Sequence, residues 1–250
     1  MLYNFSEAWQ LGFQDPCSPI MESAINFHNY VMIYLVFIIG GVLWILTAIN
    51  ARFSKSKTVI SHKHAVHGQL IETIWTITPA IILLSIAFPS FKLLFLMDEV
   101  IKPDVTIKVI GHQWYWTYEY GDYYATDGSP ITFDAYMVPE EDLEVGQLRN
   151  LATTAPLTVP VNAHVRVIVT SADVIHSWAV PSFGVKVDAI PGRLNETSFL
   201  AERTGTYFGQ CSEICGLQHA FMPIEVEVVE IENYASHIEM LLNEIEEDLE

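Results

Sequence analysis

Apolar side chains fill two long stretches within the first hundred residues of the chain. Residues 30–49 contain no charged residue, and residues 74–91 are likewise uncharged. About 20 apolar residues in a helix cross a hydrocarbon core about 30 Å thick. The pattern therefore predicts two membrane-spanning helices. The second continues towards Asp98 and contains Pro79 and Pro89, which a packed and kinked membrane helix tolerates.

Beyond residue 97 the pattern changes to short runs in which apolar and polar residues alternate or nearly alternate. Four such runs are separated by Gly and Pro clusters: residues 105–110, 114–120, 164–170 and 224–231. Alternation with a period of two places one face of a strand in a core and the other in solvent. Several short strands with turn signals between them predict an all-β sandwich or barrel.

The apolar positions of the first two runs differ in parity. They are odd-numbered in residues 105–110 and even-numbered in residues 114–120. A shift of one residue along a strand turns every side chain to the opposite face of the sheet. We therefore predict a break in the strand register near Gly111.

The end of the chain has the periodicity of an amphipathic helix. Its apolar residues recur on one helical stripe, and acidic residues occupy the other positions. The stripe consists of Ile238, Leu241, Leu242, Ile245 and Leu249. The pattern predicts a helix over residues 233–250 that docks by its apolar face.

Basic residues indicate which way the predicted spans run. The loop between them carries Arg52, Lys55, Lys57 and Lys63, whereas the first 29 residues contain no Lys or Arg. Loops rich in Lys and Arg remain on the inner side of a membrane, so both termini and the β domain are predicted to lie outside. The predicted organisation is an N-terminal outer segment (1–29), a transmembrane helical hairpin (30–97), a β domain (98–232) and a C-terminal helix (233–250).

Composition agrees with a membrane protein that has an acidic outer part. Hydrophobic residues make up 51% of the 250 residues, which is high for a soluble protein. The net charge is −18, and from residue 97 onwards 7 Lys and Arg stand against 26 Asp and Glu. We expect no nucleic-acid partner.

The segment YFGQCSEICGLQHAFMP near the C-terminus concentrates candidate metal ligands. A disulfide between Cys211 and Cys215 is one interpretation, and zinc bound by both thiolates, His219 and the distant His176 is another. The disulfide leaves His219 and Met222 without a role, and zinc has no use for the thioether. Copper accepts thiolate, imidazole and thioether ligands. A single copper ion does not need the second cysteine, whereas two ions that share both thiolates would use it.

Six motifs spread along the chain carry a resemblance to a known family: LGFQDPCSPIME, IETIWTITPAIILL, GHQWYWTYEY, YMVPEEDL, DVIHSWAVPSFGVKVDAIPGRLN and GQCSEICGLQHAFMP. Together they resemble subunit II of the haem-copper cytochrome c oxidases, in its mitochondrial form, over nearly the whole chain. The resemblance implies a two-helix transmembrane hairpin followed by an all-β, cupredoxin-like sandwich or barrel.

In that family the last motif belongs to a binuclear copper centre called CuA. The ligands that the resemblance implies are His176, Cys211, Glu213, Cys215, His219 and Met222. The two thiolates would bridge two copper ions, the imidazoles would bind them, the thioether would be a weak ligand, and the glutamate would bind through its backbone carbonyl. The side chain of Glu213 would also reach a magnesium ion shared with subunit I.

The resemblance also implies a function. The chain would accept electrons from reduced cytochrome c at CuA and pass them to haem a in subunit I, where oxygen is reduced to water and protons are pumped. Trp114, with Tyr115 beside it, matches the place where electrons are accepted, and Glu72 matches the carboxylate at the mouth of the proton path called the K pathway. The chain would thus be a redox subunit of an oxidase whose oxygen chemistry resides in subunit I.

The implied location is the mitochondrial inner membrane, with both termini and the CuA domain in the intermembrane space. The implied partners are cytochrome c, subunit I and other oxidase subunits, and the lipid bilayer. Basic cytochrome c would be steered to the acidic outer face. Candidate acids there are Glu119, Asp122, Asp127, Asp173 and Asp188. Residues 151–156 read LATTAP where relatives commonly have LEVDNR, so acids often counted in docking are missing from this segment.

Two other kinds of protein share part of this pattern. A membrane-tethered copper chaperone also has two cysteines four apart and a distant histidine, but it usually has one span and a thioredoxin-like βαβ pattern. A quinol oxidase version of the same subunit lacks the copper ligands. The two predicted spans, His219 and Met222 argue against the chaperone, and the presence of the copper ligands argues against the quinol oxidase version.

Overall fold

The computed structural model describes residues 4–53, 64, 66–99 and 102–249. The chain forms two compact units, Met1–Ser23 with Leu96–Glu250, and Ala24–Phe95. Most of the basic loop that predicts the orientation of the spans, residues 54–63, lies outside the described residues.

Two long helices follow the two uncharged stretches. Helix α1 spans Pro19–Arg52 and helix α2 spans Gln69–Asp98, so each continues through polar residues on both sides of the run that predicts it. Both are long and apolar enough to cross a membrane, and the most apolar window of each contains no buried residue. Pro79 and Pro89 lie inside α2. The two predicted helices are confirmed.

A small polar cluster joins α1 to α2. The hydroxyls of Tyr30 and Tyr34 lie 2.8 Å apart on α1. On α2, the Ser85 hydroxyl donates to Tyr34 at 3.1 Å, and the Ser85 carbonyl accepts from Tyr30 at 3.2 Å. Hydrogen bonds of this kind hold helices together in lipid because no water competes for the polar groups.

The unit formed by Met1–Ser23 and Leu96–Glu250 is built mainly from short strands. In chain order they are β1 (Val105–His112), β2 (Tyr115–Tyr124), β3 (Pro130–Ala135), β4 (Leu157–Pro160), β5 (His164–Ser171), β6 (His176–Val180), β7 (Val185–Ala189), β8 (Asn195–Leu200), β9 (Gly205–Gln210) and β10 (Pro223–Val229). The four predicted runs correspond to β1, β2, β5 and β10.

The strands form two main sheets and a hairpin. One sheet has the order β3-β2-β1-β5-β8, the other has the order β4-β10-β9, and β6 pairs with β7. β1 and β5 run parallel and bury every second residue. Between the layers, Tyr120 on β2 donates to the carbonyl of Thr158 on β4, and Trp178 on β6 stacks against Phe199 on β8. The predicted sandwich therefore has an aromatic core.

The predicted register break near Gly111 is wrong. The β1–β2 pairing is continuous from Ile107 opposite Tyr120 to His112 opposite Tyr115. The chain reverses through the two residues between His112 and Tyr115, and in such a hairpin odd-numbered positions face even-numbered ones. The change of parity follows from this turn and needs no bulge. The irregularity lies further along, between Tyr120 and Tyr124, where β2 pairs with β3.

Both ends of the chain pack against the sandwich. Helix α3 spans Ile231–Leu249, and it buries Tyr234 and Ile238 while Leu241, Leu242 and Ile245 are half-buried. At the other end, the backbone N–H of Cys17 donates to the Ser182 carbonyl at 2.8 Å, and the Cys17 carbonyl accepts from Glu202 at 2.9 Å. The amphipathic helix is thus present, and the N-terminal segment is joined to the β unit.

Candidate metal centre

Two connections between strands carry the candidate metal ligands. His176 is the first residue of β6 and follows the loop that leaves β5. The other donors lie between the end of β9 and the start of β10. Gly216 has a φ of +120°, which L side chains rarely adopt, and it allows the chain to turn between Cys215 and His219. A short 3-10 turn from His219 then returns Met222 to the start of β10.

The folded chain brings these donors together around Cys215. The sulfurs of Cys215 and Cys211 lie 4.0 Å apart, and His176 Nδ1 lies 4.0 Å from the Cys211 sulfur. His219 Nδ1 and Met222 Sδ lie 3.4 Å and 3.5 Å from the Cys215 sulfur. The ligand atoms of His176, Cys211 and Cys215 all lie within 4.8 Å of one another, and all three residues are buried. This group can hold a metal ion.

The disulfide interpretation fails. Cys211 and Cys215 are both free, and their sulfurs are about 2 Å further apart than in a disulfide, where the bond is about 2.05 Å long. The Glu213 carbonyl points into the same loop, where it accepts from the Cys211 thiol at 3.3 Å. Its carboxylate is exposed.

The two thiols differ in acidity. Burial raises the pKa of Cys211, but hydrogen bonds with His176 and with the backbone at Glu213 and Ser177 outweigh it, so this pKa lies below its ordinary value. Burial raises the pKa of Cys215, and the neighbouring charge on Cys211 raises it further. The pair therefore holds one negative charge readily and a second only beside a cation, which is the behaviour of a metal-binding pair.

The imidazole of His176 is held in one orientation. Its Nε2 lies 2.8 Å from Asp173 Oδ1, so Nε2–H donates to the carboxylate and Nδ1 is left to face Cys211. The side chain is fully buried, with the edge of the Trp116 ring against it. A Cβ added to Gly111 would lie only 2.9 Å from the ring, so the backbone encloses the imidazole on that side as well.

The turn between β1 and β2 lies against the ligand loop. Trp114 is half-buried, and its indole N–H donates to the Cys215 carbonyl at 3.3 Å. Tyr115 lies on the other side of the hairpin and stacks between the rings of His112 and Tyr136. Its ring centroid is 4.5 Å from the centroid of each of these rings. Trp116 is fully buried, so this aromatic cluster is shared between the core and the surface.

Comparison with known proteins supplies the family. The model of the family "Cytochrome C oxidase subunit II, transmembrane domain" matches residues 6–93, and that of "Cytochrome C oxidase subunit II, periplasmic domain" matches residues 105–229. The chain belongs to the cytochrome c oxidase subunit II family. The resemblance drawn from the sequence motifs is therefore confirmed.

Individual relatives agree over almost their whole length. Cytochrome c oxidase subunit 2 of Mycosarcoma maydis is 56% identical over 233 residues, which are 93% of this chain and 91% of that protein. The Arabidopsis thaliana protein of the same name is 56% identical over 234 residues, which are 93% and 90% of the two chains. Since these relatives are subunits of an oxidase, the prediction that the chain is a redox subunit of such an enzyme is confirmed.

A solved structure supports the fold class. The crystal structure of the periplasmic domain of subunit II of cytochrome oxidase from Bradyrhizobium japonicum is 49% identical and has a TM-score of 0.53. It covers 58% of this chain and 99% of that chain. Two apolar helices followed by a cupredoxin-like sandwich are the architecture of this subunit II chain, and α1 and α2 make it a membrane protein.

Two predicted sites lie away from the metal-ligand loops. Glu72 is exposed in the first turn of α2, where its carboxylate accepts from the backbone N–H of Gly68 at 3.0 Å. It belongs to the helical unit, Ala24–Phe95, and not to the sandwich. Its role and those of Trp114, Tyr115 and the metal ligands stay predictions.

Four of the five acids predicted to attract a partner form an ion pair or a hydrogen bond within the chain. Glu119 forms a 2.9 Å ion pair with Lys108, which offsets its charge. Asp122 accepts from the backbone of Thr106, and Asp127 accepts from Ser129. The sequence predicts Asp173 only as an attractive charge, but its carboxylate also orients the His176 imidazole. Its position three residues before the histidine was the available signal.

Proposed function

We propose that this subunit accepts electrons from reduced cytochrome c at a binuclear copper centre and delivers them to haem a of subunit I, where oxygen is reduced to water and protons are pumped. The observation that supports this best is the donor set itself. Two thiols, two imidazoles, a thioether and a backbone carbonyl meet where two loops lie together, and the three sulfurs and His176 are buried. Soft sulfur donors combined with imidazole select copper over harder cations.

Each donor has a place in this proposal. Cys211 and Cys215 would be shared between two ions, because their sulfurs lie side by side and each has its own histidine nearby. Met222 and the Glu213 carbonyl would complete the set from opposite ends of the loop. When bound, copper supplies one-electron redox chemistry.

The residues around the donors would keep the site rigid and dry. His176, Cys211, Cys215 and Met222 are all buried, and Asp173 fixes the histidine tautomer. A rigid framework costs little reorganisation when charge changes, because the surrounding dipoles are already oriented. Such a framework suits a site that gains and loses electrons without changing shape.

At the outer surface, charge and aromatic contact would act at different steps of the encounter with cytochrome c. The acidic sandwich would attract basic cytochrome c over long range, and attraction of this kind raises the association rate more than the affinity. Trp114, with Tyr115 beside it, would make the close contact. The indole N–H donates directly to the backbone carbonyl of a proposed ligand residue, Cys215.

Other parts of the proposal concern the assembled oxidase. The exposed carboxylate of Glu213 is free to reach a magnesium ion shared with subunit I, and Glu72 would stand at the mouth of a proton path. The chain would lie in the mitochondrial inner membrane with both termini and the sandwich in the intermembrane space. The uncharged spans and the basic loop between them support that orientation.

A metal count with an electron spin-resonance spectrum tests the copper centre. We expect two coppers per chain sharing one unpaired electron in the purified oxidase. In Cys215→Ser at most one copper should remain, because a single sulfur cannot hold both ions. One copper in the wild-type chain, or an unchanged spectrum in Cys215→Ser, would overturn the proposal.

A further inference from the structure

The hairpin turn that carries Trp114 is fastened to both ligand-bearing loops, and Gln113 makes both attachments. The backbone N–H of Gln113 donates to Asp173 Oδ2 at 2.7 Å. Its side-chain amide donates to the Cys215 carbonyl, also at 2.7 Å. Asp173 and Cys215 are 60 and 102 residues away in sequence, so these contacts exist only in the folded chain.

The first attachment leads to the buried histidine. Asp173 binds the Gln113 backbone through one carboxylate oxygen and His176 Nε2 through the other. The same loop is bonded to β1 a second time, because the Gly111 carbonyl accepts from Ser171 Oγ and from the Ala172 N–H, both at 3.1 Å. The turn therefore has a fixed position relative to the His176 imidazole.

The second attachment is a shared acceptor. The Cys215 carbonyl receives the Gln113 amide at 2.7 Å and the Trp114 indole at 3.3 Å, which uses both of its lone pairs. Gly216 leaves the room that this arrangement needs. A Cβ there would lie 3.1 Å from the Gln113 amide nitrogen and 3.2 Å from the Trp114 ring.

From this geometry we infer that Gln113 is a positioning residue that holds the Trp114 indole against the backbone of the Cys215 loop. The inference rests on the proposed function, in which Trp114 is where electrons from cytochrome c are accepted. The indole's own bond to the carbonyl is long, whereas the Gln113 bond is short. Without the Gln113 amide the turn keeps its backbone bond to Asp173 and the long indole bond to Cys215, but it loses the short bond to the Cys215 carbonyl.

The test separates positioning from docking by using a substitution that affects them in opposite directions. Gln113→Glu replaces the amide donor with a carboxylate, which cannot donate to the Cys215 carbonyl, and it adds a negative charge facing a basic partner. Binding of cytochrome c should stay equal or tighten. First-order reduction of the copper centre by saturating cytochrome c should slow by about fivefold, the factor that corresponds to the roughly 1 kcal/mol of one net hydrogen bond. Gln113→Ala should show the same slowing without the change in binding.

Two controls accompany these variants in the complete oxidase. Gln218→Glu adds the same charge at an exposed position of the ligand loop and leaves the Gln113 amide in place, so its saturated rate should match the wild type. Hexaammineruthenium(II), a small reductant that does not need the Trp114 contact, should reduce the copper centre of Gln113→Glu at the rate seen in Gln218→Glu. The spin-resonance spectrum should be unchanged in all variants.

The inference is overturned if Gln113→Glu transfers electrons at the Gln218→Glu rate once cytochrome c is saturating, since Gln113 is then only a docking contact. It is equally overturned if the small reductant is slowed as much as cytochrome c, or if the copper spectrum changes, because the damage then lies in the metal site. A wild-type oxidase without a two-copper spectrum would instead refute the proposed function, whatever the Gln113 variants do.

Discussion

Gly111→Ala should disturb the metal centre although it replaces no proposed ligand residue. Gly111 lies at the end of β1, directly beneath the His176 ring, and an added Cβ would stand 2.9 Å, 3.0 Å and 3.1 Å from three carbons of that side chain. Separations under about 3 Å are not tolerated, so the imidazole must move. It has little room to do so, because Asp173 and the edge of Trp116 hold it on other sides.

The magnitude follows from two opposing effects. Forcing one extra methyl group into a packed interior costs about 1–3 kcal/mol. Replacing a strand glycine by alanine recovers about 0.4–1 kcal/mol from the unfolded state. The central values of these two effects leave a net loss of about 1.3 kcal/mol. This loss lowers the melting temperature of a unit of this size by about 3–5 °C. Displacing a ligand's supports typically weakens metal binding by about 10–100-fold, and the same is expected here.

Gly121→Ala provides the matched control. It is also a glycine of the β1–β2 hairpin, but an added Cβ would meet its nearest neighbour, the Thr106 carbonyl, at an ordinary 3.4 Å. Both variants would be compared by copper titration and by thermal loss of the copper spectrum in the detergent-solubilised oxidase. If Gly111→Ala melts together with Gly121→Ala and binds copper as tightly, the imidazole has freedom that the structure denies it, and the reasoning is wrong.

Three further predictions concern separate parts of the chain. Trp114→Ala should slow reduction of the copper centre by bound cytochrome c at every salt concentration in a stopped-flow salt series. Wild-type binding of cytochrome c should instead weaken as salt shortens the Debye length below about 8 Å. A normal rate in Trp114→Ala at saturating cytochrome c would exclude the contact role. Glu72→Gln should lower steady-state turnover while copper reduction stays normal, and unchanged turnover would leave Glu72 as a helix-end residue bonded to Gly68. Burial raises the pKa of the Glu225 carboxyl, although the hydrogen bonds from Thr153 oppose the shift. The folded state therefore binds the carboxyl proton more tightly than the unfolded state does. As a result, stability is lost as the pH rises from below the ordinary value of 4.5 through the raised pKa. Glu225→Gln should therefore raise the melting temperature at about pH 7 and not at about pH 4, and equal shifts at both would contradict this.

Periodicity was sufficient to predict the two long helices, the C-terminal helix and four of the ten strands in the described residues. Uncharged runs marked α1 and α2, because a helix that crosses lipid excludes charged side chains. Alternation marked β1, β2, β5 and β10, because burial of one face of a strand leaves a period of two. The parity change near Gly111 was misassigned for a physical reason. A two-residue hairpin and a bulge both exchange odd and even positions, and only the pairing of His112 with Tyr115 distinguishes them.

The sequence predicts the candidate metal ligands, but it does not predict the residues that hydrogen-bond to those ligands. Cysteine, histidine and methionine at short spacing predict a metal site with sulfur and imidazole ligands. The family motifs then predict the role of each of these residues. Asp173 hydrogen-bonds to His176, and Gln113 hydrogen-bonds to Cys215. Aspartate and glutamine are ordinary residue types in exposed turns, so residue type alone does not mark these two. Their importance comes from the meeting of distant loops, which the sequence pattern does not encode.

The most direct test of electron acceptance at the copper centre is the order of reduction. Reduced cytochrome c would be mixed rapidly with the oxidised oxidase, and the absorbance of the copper centre and of haem a would be followed together. The account predicts that the copper signal falls first, that haem a reduction follows it, and that both are lost in Cys215→Ser. Reduction of haem a without a preceding change in the copper signal, or at the wild-type rate in Cys215→Ser, would contradict it.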